Sequence, residues 1–282
     1  MKPREIEKNV YLLNGTSVPV ADFQPEHITR GPAVYEVIQV MDGVPLFWEA
    51  HLDRLNKSLS LAGASVPLDR QVLHRQMRQL IRENQVDRHN FKIVVTDFGT
   101  STAPTVHLFF ITSRYPSEDQ LKNGVDAITH HAERENPNAK IIATDFRAPI
   151  QDALHQADAY EALLVNRKME VTEGSRSNFF LFSKGTCYTP PSDQILQGIT
   201  RQVVINLLGR LSVPLVQQHI TLEFLKQADA LFITGTSPGV LPIRRLDGQD
   251  IPSGTQPPLQ QLQQLYHHFT RTYIAVHRDN VE

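Results

Sequence analysis

The 282-residue chain has a single cysteine, Cys187. No internal disulfide can form, and the CxxC pairs of redox and zinc sites are excluded. An excess of one charge is missing too: 28 lysines and arginines face 30 aspartates and glutamates, for a formal net charge of -2. Binding to nucleic acid or an anionic membrane surface needs clustered cations that this balance does not supply, so the expected partners are small molecules or a second copy of the chain. No apolar run approaches the length that spans a bilayer. The opening MKPREIEKNVYLL puts charges where a signal peptide carries its apolar core, and the expectation is a soluble cytoplasmic protein. HExxH and P-loop motifs are absent. Among the twelve histidines, His130 and His131, and His267 and His268, are adjacent pairs whose side chains point apart, so no metal site is expected.

What is present reads as two domains of ordinary size. NVYLLNG and TSVPVAD form a predicted hairpin around Asn14-Gly15, and VYEVIQVMDGVPLFWEAH a second around Asp42-Gly43. HLDRLNKSLSLAG aligns Leu52, Leu55, Leu59 and Ala62 on one helical stripe, and DRQVLHRQMRQLIRENQ aligns Val72, Met77, Leu80 and Ile81. FKIVVTDF and TVHLFFIT follow as strands. SRYPSEDQLKNG then turns polar, and residues 116–123 are the predicted linker between a small α+β domain (1–115) and a larger one (124–282). Beyond it VDAITHH and KIIATDF read as extended, IQDALHQADAY as a helix, and EALLVN as a buried strand. MEVTEG leads into SNFFLF, GITRQVVINLLGR is a helix, ADALFITGT a strand, and LQQLQQLYHHFTRTYIAVH a final helix.

Four separated segments carry polar groups where apolar periodicity breaks off: HLDRL, VTEG, GITR and FITGTSPG. The last two combine glycine and threonine with a helix start or a strand end. Such places expose backbone amides and hydroxyls suited to a phosphate.

In order along the chain, GPAVYEVIQV, HLDRL, a lysine, YEALLVN, VTEGSRSNFF, LQGITRQVV and FITGTSPGVLPI resemble the motifs of the class IV aminotransferases. These are the fold-type IV pyridoxal-phosphate enzymes, which include D-amino acid aminotransferase, branched-chain aminotransferase and aminodeoxychorismate lyase. The resemblance runs from about Val10 to the FITGTSPGVLPI stretch. It implies a two-domain α+β fold with a small N-terminal domain, a larger pseudo-barrel C-terminal domain, and pyridoxal 5'-phosphate in the cleft between them. A homodimer is implied as well.

The cofactor needs an amine for a Schiff base, an acid beside the pyridine nitrogen, and anion donors for the phosphate. By resemblance the amine is Lys140, at the family's spacing before Glu161, and the same amine moves the proton between the substrate α-carbon and the cofactor. The acid is Glu173. Arg54 takes the phosphate, with Ile199, Thr200, Gly235 and Thr236. Tyr35 is expected near the Lys140 amine, and His51 beneath Arg54.

Two departures concern the substrate. The D-amino acid enzymes hold the substrate carboxylate with an arginine in the segment that here reads KIVVTDFGTST, where Asp97 and Phe98 stand instead. An acid there repels a carboxylate. Two unusual arginines occur in segments that border the family's substrate pocket: Arg30 in HITRGPA and Arg176 in TEGSRSN. They are the expected replacement clamp, with geometry matched to a carboxylate. VYEV and TEGSxSN favour a D-amino acid transaminase that uses 2-oxoglutarate in ping-pong half-reactions. A branched-chain L-amino acid transaminase and aminodeoxychorismate lyase are the alternatives.

Overall fold

Asn14 and Gly15 both adopt positive φ (50° and 83°), as do Asp42 and Gly43 (51° and 74°). This is the backbone of a two-residue turn whose twist matches paired strands. The first turn joins β1 (Ile6–Leu13) to β2 (Thr16–Pro19), and the second joins β3 (Val34–Met41) to the short β4 (Val44–Pro45). The computed structural model describes residues 6–29, 31–64, 67–99, 104–134, 137–142 and 144–278. It divides into two units: Met1–Arg114 with Ala139–Ile142 and Thr270–Glu282, and Tyr115–Asn138 with Ala143–Phe269.

In the first unit, α1 (Trp48–Leu61) and α2 (Arg70–Glu83) precede β5 (His89–Thr96) and β6 (Thr105–Ile111). The six strands form an antiparallel sheet in the order β2-β1-β6-β5-β3-β4. Alternate positions face opposite ways. Val34, Ile38, Phe91, Ile93 and Leu108 pack against Leu52, Leu55 and Leu59 of α1 and Leu73, Met77 and Leu80 of α2. Val72, expected on that stripe, is 40 % exposed. It lies five residues before Met77, roughly 140° away around a helix, and Leu73 takes its place. The opposite face carries Tyr11, Tyr35, Val94 and Phe109, with the Phe23 ring 5.2 Å from Tyr11 and 5.4 Å from Phe109.

The second unit contains α3 (Glu118–Asn123), β7 (Val125–His131), α4 (Thr144–Gln156), β8 (Glu161–Val165), β9 (Glu170–Gly174), β10 (Asn178–Ser183) and β11 (Thr186–Thr189). It continues with α5 (Ile199–Arg210), β12 (Leu215–Gln217), β13 (Ile220–Thr221), α6 (Leu222–Leu225), β14 (Ala230–Gly235), β15 (Gly239–Leu246) and β16 (Gln249–Asp250). α7 (Pro257–Arg278) closes the chain, its residues from Thr270 grouping with the first unit. The main sheet runs β12-β11-β10-β14-β15-β7-β8-β9-β13.

β9 and β10 stand far apart in this order, yet only Ser175, Arg176 and Ser177 separate them, and Gly174 N–H donates to Ser177 O at 2.8 Å. The sheet therefore curls back on itself into a half-barrel. Its inner core collects residues from both ends of the strand order, among them Val171, Phe179, Leu181, Leu231 and Leu163. The outward side chains Phe180, Phe182 and Phe232 pack against α5 and α7. Both faces of β10 are buried, which is why its FFLF run is apolar without a break.

Three local expectations change. Residues 116–123, read from composition as a linker, carry α3, started by a Ser117–Gln120 capping box. KIIATDF is not a strand: Ile141 makes one isolated bridge to Val34, and helix begins at Thr144. Pro149 therefore sits inside α4 rather than before it. Phe146 and Ile150 pack against Ala162 and Leu164, and that burial offsets the one backbone bond the proline cannot make.

Candidate active site

In the first unit, Lys140 is fixed through its backbone before its side chain makes any contact. Tyr35 N–H donates to Lys140 O and Ile142 N–H to Ala33 O, both at 3.0 Å. Lys140 N–H donates to Ser58 Oγ of α1 at 3.3 Å. From that anchor the ammonium reaches Glu36 Oε1 at 3.1 Å. Tyr35 is 6 % exposed, and its ring centroid lies 5.2 Å from Lys140 Nζ and 5.0 Å from Lys92 Nζ.

Arg54 faces the same carboxylate from α1, one helical turn after His51. Its Nε donates to Glu36 Oε2 at 2.8 Å and its Nη2 to Oε1 at 2.7 Å, the two-pronged geometry that suits guanidinium and carboxylate. His51 Nδ1 stands 3.3 Å from Oε1, an electrostatic contact whose angles fall outside hydrogen-bond geometry. His51 therefore stands by Glu36, the acid that Arg54 grips. Glu36 is not among the site residues expected from the motifs. Its only sequence signal is a charge at a core-facing position of β3, in phase with Val34, Ile38 and Val40.

Burial pushes the Glu36 carboxyl up, but Arg54, Lys140 and His51 outweigh it and hold the group well below the ordinary carboxylate range. Burial lowers the Lys140 amine; Glu36 opposes that shift and Arg54 reinforces it. Burial also lowers His51, so its ring is neutral near pH 7.

In the second unit, Glu173 is 3 % exposed at the end of β9. Arg134 Nε lies 2.7 Å from Oε1 as an ion pair, and Leu196 N–H donates to Oε2 at 3.2 Å. Burial outweighs both partners and pushes the Glu173 carboxyl up to about 7. Arg134 also donates Nη2 to Ser175 O at 2.8 Å and lies over the Phe146 ring at 5.1 Å. Nothing in the surrounding AERENPN sequence singles Arg134 out.

The turn after Glu173 is held by Glu161, a buried carboxylate at the head of β8. It accepts from Ser175 N–H (3.0 Å), Ser175 Oγ–H (2.6 Å) and Ser177 Oγ–H (2.7 Å). A Cβ on Gly174 would overlap Ser177 Oγ, so only glycine fits. Arg176, the one residue of the turn that is exposed, has no acidic partner among the described residues. Arg30 lies outside the described residues.

Ile199 and Thr200 are both buried in the first turn of α5, where no side chain caps the free amides. Gly198 precedes them, with Asn178 Oδ1 where a Cβ would go. Asn178 Nδ2 donates to Leu196 O at 2.8 Å, tying this helix start to β10. Gly235 and Thr236 open the turn between β14 and β15, and a Cβ on Gly235 would come within 3.7 Å of Arg176 O. Glu173, Arg176, Ile199, Thr200, Gly235 and Thr236 thus share one rim of the curled sheet, where strand ends and a helix start meet.

The first unit presents a half-buried amine, and the second a buried acid that exchanges its proton near neutrality and an uncapped helix start, donor types that pyridoxal phosphate uses. The amine suits the aldehyde, the acid suits a ring nitrogen, and the helix start and Arg54 suit a phosphate. Comparison with known proteins gives the family. The model of amino-transferase class IV matches residues 33–246. A D-alanine aminotransferase of Bacillus licheniformis is 31% identical over 248 residues, 84% of this chain and 87% of that protein. A putative branched-chain-amino-acid aminotransferase of Methanocaldococcus jannaschii is 33% identical over 238 residues, 78% and 81% of the two chains. The structure of a branched-chain aminotransferase from the archaeon Thermoproteus uzoniensis with norvaline superposes with a TM-score of 0.81 at 24% identity, covering 95% of this chain and 98% of that one. The chain belongs to the class IV aminotransferases, whose fold it has and whose cofactor is pyridoxal 5'-phosphate.

Proposed function

We propose that the protein is a D-amino acid transaminase that passes the amino group to a 2-oxo acid such as 2-oxoglutarate. The observation that carries the reading is the Lys140 amine, half-buried, anchored through its backbone, and set against Glu36, Arg54 and Tyr35. The D-specific part is supported by the VYEV and TEGSxSN motifs and by the Bacillus licheniformis relative. When bound, pyridoxal phosphate supplies an aldehyde and an electron-withdrawing ring that weakens the bonds at the substrate α-carbon.

Lys140 would hold the cofactor through its amine, and the same amine would carry a proton to and from the substrate α-carbon. Glu173 keeps a proton on the ring nitrogen, with Arg134 fixing its orientation. Arg54 and the amides of Ile199 and Thr200 hold the phosphate, joined by Gly235 and Thr236. Tyr35 lines the reacting end. Arg176 and Arg30 take the substrate carboxylate in place of the arginine missing from the KIVVTDFGTST segment. The exposure of Arg176, and the absence of an acidic partner for it among the described residues, favour that role.

A homodimer in the cytoplasm completes the reading. The sheet face opposite α1 and α2 leaves Leu13, Val18, Val37 and Ile111 only partly buried, the surface a second copy would cover. No helix of the described residues is long and apolar enough to cross a membrane.

The similarity to the Methanocaldococcus jannaschii protein favours a second reading, a branched-chain L-amino acid transaminase. Borohydride reduction followed by peptide mapping tests the shared core of both: the pyridoxyl group is expected on Lys140, and its appearance on another lysine overturns the assignment. In Arg176→Ala and Arg30→Ala, KM for the amino acid is expected to rise about tenfold or more, the effect of losing a charged contact of about 1.4 kcal/mol or above. Unchanged KM in both removes the clamp.

A further inference from the structure

Glu36 makes more contacts than the anchoring of Arg54 requires. The arginine occupies both carboxylate oxygens, and Val37 N–H also donates to Oε1 at 2.9 Å. Yet Lys140 Nζ comes to the same Oε1 at 3.1 Å. That contact is not needed to hold the segment, because Lys140 is already secured by Tyr35, by Ser58 and, through Ile142, by Ala33. One buried anion therefore serves two cations, the permanent charge of Arg54 and the titratable amine of Lys140. With His51 neutral, the cluster keeps a net positive charge, a setting in which an amine gives up its proton readily. Glu36 is the main group that opposes this, with a smaller contribution in the same direction from Tyr35.

We propose that Glu36 is a positioning residue for Lys140, holding the amine protonated and in place so that it is masked from electrophiles while the chain is free of cofactor. The ammonium has no lone pair and does not attack. A carboxylate in hydrogen-bond reach makes that form the resting one, and withdrawing it leaves the amine beside Arg54, whose charge expels the proton. The functional meaning rests on Lys140 being the cofactor lysine; the masking itself does not.

The test is acetylation of the cofactor-free chain by dilute acetic anhydride between about pH 6 and about pH 10. Peptide mass spectrometry reads the rate at Lys140 against the exposed Lys184. In Glu36→Gln the Lys140 rate at pH 7 is expected to rise about tenfold relative to Lys184, with the midpoint of the profile about one unit lower. Glu36→Asp keeps the charge and withdraws it by one methylene, and a rise of about threefold is expected. This variant decides the matter if Glu36→Gln does not fold. A Lys140 profile that stays put or moves to higher pH in the folded variants overturns the proposal. Because no cofactor is used, that result is separate from the mapping of the pyridoxyl group.

Discussion

Glu36 and Glu173 are both nearly inaccessible, and their surroundings drive them in opposite directions. Glu36 has two cations within hydrogen-bond distance and stays ionised. Glu173 has one, and burial wins. The unfolded chain releases the Glu173 proton near pH 4.5, whereas the folded chain holds it to about 7. Between those values the folded state binds the extra proton, so this group makes stability fall as pH rises, by about 3 kcal/mol at roughly 1.36 kcal/mol per unit. Glu36 acts the other way: its contribution is present above the ordinary carboxylate range and is lost as acid protonates it. In the cofactor-free chain, Glu173→Gln is therefore expected to reduce the drop in Tm between pH 5 and pH 8. An equal drop in both proteins counts against a protonated Glu173. At this scale the sequence points to Lys140, Glu173 and Arg54 because they sit in motifs with a known order, while their contacts Glu36 and Arg134 carry no such signal. A partner's importance depends on which strand or loop folding brings beside it.

The element scale explains which parts of the chain could be read directly. Hairpins at Asn14-Gly15 and Asp42-Gly43 were visible because those residues tolerate the positive φ that the turns need. Helix α3 was hidden by polar composition, although SEDQ holds its capping box, and α4 by a proline that marks helix starts more often than interiors. The closing of β9 onto β10 was out of reach from the sequence, because strand order is set by long-range pairing. Gly198 is a direct test of the rim geometry. Gly198→Ala forces its Cβ onto Asn178 Oδ1 and is expected to cost about 1 to 3 kcal/mol of stability. Weaker retention of cofactor on dialysis should accompany it. A variant with unchanged Tm and unchanged retention shows that the helix start does not depend on this contact. Leu52→Ala, at a fully buried α1 position, is expected to cost about 2 to 5 kcal/mol in thermal or urea unfolding.

For the whole molecule, the partly buried apolar side chains on the helix-free face of the first unit predict self-association. Sedimentation at micromolar concentration should give a dimer, and Val18→Glu should shift it toward monomer. A wild-type monomer removes the second copy from the account. Family, fold and cofactor follow from agreement over most of the chain. The choice of substrate does not, because relatives of similar identity fall on both the D-alanine and the branched-chain side. The most direct test is a donor comparison with purified protein, in which formation of L- or D-glutamate from 2-oxoglutarate is followed with D-alanine and with L-leucine. The account predicts turnover with D-alanine that disappears in Lys140→Ala. Turnover confined to L-leucine, or none with either donor, would contradict it.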